Sequence, residues 1–94
     1  MRRRLHDEFG EVLAGRMPGS ALRRDIEVSV GRGEEVVIDL QDVRALSPSF
    51  ADELFAKLPA AVLGSPLVRF ENVPDDLLAI IGYFSRGNFR AAAS

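Results

Sequence analysis

A short apolar run that ends in a carboxylate and leads into a helix start most constrains the fold of this chain. Residues 36–40 read Val-Val-Ile-Asp-Leu, and residues 47–50 read Ser-Pro-Ser-Phe. The apolar run lacks polar alternation, which predicts a strand buried on both faces. Serine and proline favour the first positions of a helix. A strand, a turn and a helix in succession predict an α/β unit, in which binding sites usually lie beyond the carboxyl ends of the strands.

Two further helices and a second strand follow from periodicity. Leu22, Ile26 and Val30 recur at i+4 after a break at residues 18–20, which predicts an amphipathic helix that ends at the glycines of residues 31–33. Residues 67–70 are a second strand candidate. A third helix is predicted to begin near residues 72–75, with Asn72 as its cap, and to end by residue 88.

The helix after the Ser-Pro-Ser start is predicted to run from about Pro48 to Leu58, with Phe50, Leu54 and Leu58 on its buried stripe. Residues 3–9 form an edge strand or an irregular arm, and two strands alone are too few for a stable sheet. We therefore expect at least one N-terminal segment to join the sheet. Residues 91–94 are expected to fray. The fold class is α/β, with a small, mostly parallel or mixed sheet and about three helices.

Length, charge and cysteine content narrow the functional classes. The 94 residues fit one domain spanning 1–94, with a core of about 5–88. The net charge of −2 argues against a nucleic-acid partner, and the absence of cysteine excludes a disulfide scaffold or a thiolate metal site. No apolar stretch approaches the roughly 20 residues of a membrane span. We expect a cytoplasmic protein with no membrane partner.

Six polar or aromatic residues along the strand-turn-helix are the candidate partner-binding or regulatory residues: Asp39, Ser47, Ser49, Phe50, Asp52 and Glu53. Either Ser47 caps the helix, or Ser49 caps it and Asp52 completes a capping box; a modified or partner-contacting serine is the functional alternative. Asp39 is expected to accept N–H bonds from the turn. Asp52 and Glu53 complement the positive end of the helix dipole, with Glu53 and Lys57 paired on the solvated face.

Catalytic and cofactor motifs are not recognisable. His6 is the only histidine, and its acidic neighbours are adjacent in sequence, which is poor spacing for metal ligands. Residues 31–33 read Gly-Arg-Gly but precede a strand, so they do not form a dinucleotide loop. The arginines at positions 2–4 and 23–24 are expected to be solvated. We expect no enzymatic activity, no cofactor and no metal.

The stretch from Val36 to Val43, followed by residues 46–54 (Leu-Ser-Pro-Ser-Phe-Ala-Asp-Glu-Leu), resembles the bacterial STAS-like domains of unknown function, which are related to the STAS domains of anti-sigma factor antagonists. The upstream pairs Phe9-Gly10 and Gly15-Arg16 also fit, and the resemblance spans roughly residues 5–85. It implies a non-enzymatic α/β module that docks on a protein partner. In the antagonists, Asp-Ser-Ser-Gly opens the helix, and phosphorylation of the first serine by a partner kinase breaks the complex.

Transferring that motif to this chain places Asp39 at the strand-end aspartate and Ser47 at the later one. Pro48 then occupies the phosphoacceptor position, Ser49 the second serine and Phe50 the glycine. The resemblance therefore implies that the docking surface is kept, while the phosphoswitch is lost or moved to a neighbouring serine.

We expect a regulatory module that docks on an ATPase/kinase-type or other regulatory partner through the 47–55 surface, with a homo-oligomer possible. The alternative is a small anion or nucleotide sensor that binds at the N-terminus of the helix starting near Pro48.

Overall fold

Parallel strand pairing organises the chain into two small sheets. The computed structural model describes residues 1–89, and the expected fraying of residues 91–94 lies outside that range. In chain order the elements are β1 (Arg2–Arg4), α1 (Leu5–Phe9), β2 (Val12–Leu13), α2 (Arg16–Gly31), β3 (Val36–Asp39), β4 (Ala45–Leu46), α3 (Pro48–Ala51), a π-helical turn (Asp52–Ala56), α4 (Ala60–Leu63), β5 (Val68–Glu71) and α5 (Asp75–Phe84).

The larger sheet has three strands in the order β1-β3-β5, and both of its strand pairs are parallel. Arg4, Asp39 and Glu71 stand side by side at its carboxyl edge. Strands β2 and β4 form a separate parallel pair. The α/β class and the parallel sheet are confirmed, as is the expectation that an N-terminal segment completes the sheet. The number of helices was underestimated, because α1 and α4 are single turns without a readable periodicity.

Helix α2 confirms the predicted stripe but not the predicted start. Leu22 and Ile26 are fully buried, and Val30 is half-buried. The helix begins at Arg16, so Pro18 lies in its first turn rather than before it. A proline is tolerated there because the first N–H groups of a helix have no intrahelical acceptor.

The helix predicted from Pro48 to Leu58 is shorter and less regular than expected. After four α-helical residues the chain forms the π-helical turn, in which the Lys57 N–H donates to the Asp52 carbonyl at 3.2 Å. The wider turn brings three consecutive side chains, Glu53, Leu54 and Phe55, into the interior. The predicted stripe of Phe50, Leu54 and Leu58 is nevertheless buried.

Helix α5 begins three residues after Asn72, which is not its cap. Pro74 precedes the helix and supplies no capping side chain. Asn72 instead adopts a positive φ of 54° and donates its amide N–H to Asp39 at 3.0 Å. Asn72 lies two residues before the capping position, which Pro74 occupies, so its side-chain oxygen does not cap the helix.

The three-stranded sheet buries one face and exposes the other. Ile38 and Phe70 lie in the core. The ring centroids of Phe70 and Phe89 are 5.2 Å apart. The prediction that β3 is buried on both faces is wrong, since Val37 is only half-buried. Its side of the sheet carries alternating charged residues instead: Arg2, Arg4, Asp39, Arg69 and Glu71. Within residues 1–89 the structure contains no helix both long and apolar enough to cross a membrane.

Candidate functional site

Ser47 is the cap of α3. Its backbone is extended (φ −71°, ψ 151°), and its hydroxyl accepts the Phe50 N–H at 3.2 Å. Pro48 forces this extended geometry on the residue before it and occupies the first helical position, where no N–H is needed. Of the two capping arrangements left open by the sequence, the one with Ser47 is confirmed.

Ser49 does not cap the helix, so the capping box with Asp52 is wrong. It is the second residue of α3 and is half-buried, while the neighbouring Pro48 is exposed. Asp52 turns away to Arg16, whose Nη1 lies 2.8 Å from the Asp52 Oδ2. The hydroxyl of Ser49 therefore does not cap the helix, and the residue is only partly accessible.

The start of α3 offers an anion few backbone donors. Pro48 has no N–H, the Phe50 N–H is taken by Ser47, and the Ala51 N–H donates to the Ser47 carbonyl at 2.9 Å. The helix is four residues long, so its dipole is small. These contacts weigh against the anion-sensor alternative.

Asp39 is buried at the end of β3, with 5% of its surface exposed. Its Oδ1 accepts the Gln41 N–H at 2.9 Å, as predicted, and also the amide of Asn72. Burial raises the pKa of Asp39, but the hydrogen bonds from Asn72 and Gln41, together with the charge of Arg2, lower it to a net value below the usual 3.8. The carboxylate thus fixes the turn that leads to the candidate site.

Glu53 is buried, not solvated, which corrects the expectation for its pairing with Lys57. The ion pair with Lys57 forms at 2.7 Å, but only 7% of the Glu53 surface is exposed. Glu53 is buried because α2 packs against the π-helical turn and supplies two arginines. Arg16 lies 3.2 Å and Arg23 3.3 Å from its carboxylate. The hydrogen bond from Lys57, followed by those from the arginines, lowers the pKa of Glu53.

The arginines at positions 2–4 and 23–24 were expected to be solvated, but both groups contain side chains that form ion pairs within the chain. Arg23 is half-buried and bonded to Glu53, while Arg24 beside it is exposed. Among the N-terminal arginines, Arg3 is bonded to Glu8 and Asp25, and Arg2 to Glu71. Arg3 and Glu8 are five residues apart, but the other partners are distant along the chain and leave no local pattern from which the contacts could be predicted.

Phe50 is fully buried, with its ring 5.9 Å from that of Phe9 in an edge-to-face contact. Directly above it, α2 approaches α3 closely at Gly19. A Cβ at Gly19 would lie 3.0 Å from the Phe50 carbonyl oxygen and 3.1 Å from the Cβ of Glu53. Only glycine permits this distance between the helices. Phe50 therefore supports the candidate surface from beneath.

Residues 19–61 match the model of a family described as a STAS-like domain of unknown function (DUF4325). Over this range the resemblance is confirmed. No curated protein and no solved structure matches the chain. The STAS-like region runs from the close approach at Gly19 to α4, and it contains all six candidate residues.

Beside the STAS-like region, two large exposed side chains flank the π-helical turn. Met17 is 85% exposed and borders a groove of about 380 Å³ that Glu53 also lines. Tyr83 is 78% exposed and borders a groove of about 330 Å³ that Asp52 and Ala56 also line. Neither residue was predicted, because a single exposed side chain leaves no periodic signal.

The accessible part of the candidate site is therefore narrower than the predicted set. Ser47, Ser49 and Asp52 are partly exposed, while the other three candidates are buried. We call the exposed side chains of Pro48, Ala56 and Tyr83, together with the partly exposed Ser49 and Asp52, the α3 surface. Within residues 1–89 no group of three or more His, Asp or Glu side chains is arranged to hold a metal ion.

Proposed function

We propose that the chain is a non-enzymatic regulatory module that docks on a protein partner through the α3 surface, and that the partner is an ATPase or kinase-type regulator. The observation that carries the proposal is the exposed ring of Tyr83 beside Asp52 at the end of a rigidly supported helix. Tyrosine is enriched at protein interfaces because it combines a large apolar ring with a polar end. The class of partner is carried by the resemblance to the antagonists.

The support beneath this surface favours docking by a preformed shape. Ser47 caps α3, Gly19 lets α2 lie directly against it, and Glu53 links the π-helical turn to α2 and to Lys57. A surface held in this way loses little conformational entropy when a partner binds. The groove beside Tyr83 has a volume of about 330 Å³, at the lower end of the range for small-molecule pockets, which favours a protein surface over a large enclosed ligand.

The first experiment identifies the partner and maps the contact. The 94-residue chain and two variants are used to capture proteins from a bacterial lysate, followed by mass spectrometry. Tyr83→Ala removes the exposed ring, and Arg69→Ala changes an exposed residue on the opposite face of the sheet as the matched control. We expect an ATPase or kinase-type protein that the wild type and Arg69→Ala retain and Tyr83→Ala loses. Equal capture by all three forms would contradict docking through the α3 surface.

The second experiment separates docking alone from a phosphoswitch. Isothermal titration of Ser49→Ala and Ser49→Asp against the captured partner compares removal of the hydroxyl with addition of charge. We expect both variants to bind within a few-fold of the wild type. A tenfold or larger loss for Ser49→Asp alone would show that Ser49 is a switch. A thermal-shift screen with phosphate and ATP tests the anion sensor, since a ligand that binds only the native state raises Tm.

A further inference from the structure

Helix α2 carries a second stripe, on the side opposite its buried one. Met17, Ala21, Arg24 and Val28 are all exposed, with Met17 at 85% and Val28 at 47%. Their spacing of four, three and four residues is that of the contact line between two packed helices. The outward face of a surface helix is normally polar, so three apolar side chains on this line need an explanation.

We propose that this outer stripe binds a second copy of the chain, with the two α2 helices antiparallel about a twofold axis. The charges on α2 favour a second copy of the chain as the partner and an antiparallel direction for the two helices. Arg24 and Asp25 are adjacent, so an axis between them places each arginine beside the aspartate of the other copy. The same axis sets Ala21 against Val28, a small residue against a branched one. A twofold interface must be self-complementary. The segment from Ala21 to Val28 is self-complementary in charge and in size, while Met17 lies beyond the overlap of the two helices.

The intramolecular contacts leave these groups accessible. Asp25 is bonded to Arg3 at 2.7 Å, yet 53% of its side chain is exposed. Arg24 is exposed, in contrast to the half-buried Arg23 beside it, which points to Glu53. The two adjacent arginines therefore serve different surfaces: one holds the π-helical turn, and the other faces the second copy.

The length of the helix sets the strength of the contact. With the axis between Arg24 and Asp25, residues 18–31 of the two helices overlap, and at about 1.5 Å per residue they give a contact line of roughly 21 Å, which is short for a permanent dimer. We expect reversible association with a dissociation constant between about 1 µM and 1 mM. This inference does not depend on the α3 surface, because Tyr83 lies on α5 and outside the stripe.

Sedimentation of the full chain over a concentration series tests the association. The mass should rise from 10.3 kDa towards twice that value as concentration increases, and the rise should weaken with salt. Ala21→Glu places a charge against Val28 of the other copy and should weaken association at least tenfold. Ala79→Glu, at an exposed alanine of α5, is the matched control and should associate like the wild type. A wild type that stays monomeric up to about 1 mM would overturn the proposal.

Cysteine cross-linking tests the direction, since the chain contains no cysteine of its own. Ala21→Cys and Val28→Cys are prepared separately and oxidised alone or mixed. The antiparallel arrangement predicts a disulfide-linked dimer at least tenfold more abundant in the mixture than in either variant alone. Efficient cross-linking of Ala21→Cys with itself would instead place the two copies of residue 21 against each other, in parallel helices or about another axis, and would overturn the pairing of Arg24 with Asp25. Both variants change exposed positions, and thermal melts confirm that they fold.

Discussion

At the start of α3, the Ser47 hydroxyl takes the Phe50 N–H, and two consequences follow for neighbouring serines. Ser47→Ala should lower the free energy of unfolding by about 1 kcal/mol, because one buried amide loses its acceptor. Ser49→Ala should change it by under about 0.5 kcal/mol, because Ser49 caps nothing. Urea unfolding of both variants measures the difference. A larger loss of unfolding free energy for Ser49→Ala than for Ser47→Ala would show that Ser49, and not Ser47, caps the helix.

The charge of Glu53 gives stability a defined pH dependence. Its pKa in the folded protein is lowered from the ordinary 4.5, chiefly by Lys57. The stabilisation is therefore complete above the ordinary value and is lost as the pH falls through the lower, folded-state value. Glu53→Gln should be less stable than the wild type at pH 7, and the gap should narrow below pH 4.5. Thermal melts across this range test it; a constant gap would show that the carboxylate is not the cause.

At the scale of elements, the close approach of α2 to α3 makes two helical glycines behave in opposite ways. Gly19→Ala must push Phe50 and Glu53 aside, since its Cβ would lie 3.0 Å from a carbonyl oxygen, and overpacking costs about 1–3 kcal/mol. Gly82→Ala in α5 meets no atom within 4 Å and should stabilise by about 0.5–1 kcal/mol. Urea unfolding of both variants measures whether each change lowers or raises the free energy of unfolding. Stabilisation by both changes would mean that the helices separate without cost.

The sequence predicts elements best where a single period decides them. The Leu22 and Ile26 stripe of α2 and the apolar run of β3 were readable because each depends on local spacing alone. The π-helical turn was not, since the buried Glu53 is bonded to arginines 30 and 37 residues away along the chain. The cap predicted at Asn72 was also wrong, because the helix begins three residues later and the Asn72 amide N–H instead donates to Asp39 on β3.

For the whole molecule, one core links the sheet to the α3 surface. Leu54 is fully buried between them, so Leu54→Ala should cost about 2–5 kcal/mol. Leu78 is 39% exposed on α5, and Leu78→Ala, as the matched control, should cost under about 1 kcal/mol. Chemical unfolding at equilibrium measures both. Similar small losses would show that the face of the helix at residue 54 is not part of the core.

The parallel pairing of every strand described also determines how the chain reaches this structure. A parallel pair cannot be closed by a tight hairpin, so we expect β1 to pair with β3, and β3 with β5, only after the segments between them have begun to fold. Loop closure must then precede most of the stabilising contacts. The refolding rate should resemble that of mixed α/β domains and be slower than that of helical bundles of this size. Until β3 arrives between them, both flanking strands remain unpaired, and that interval is when the chain is most exposed to aggregation.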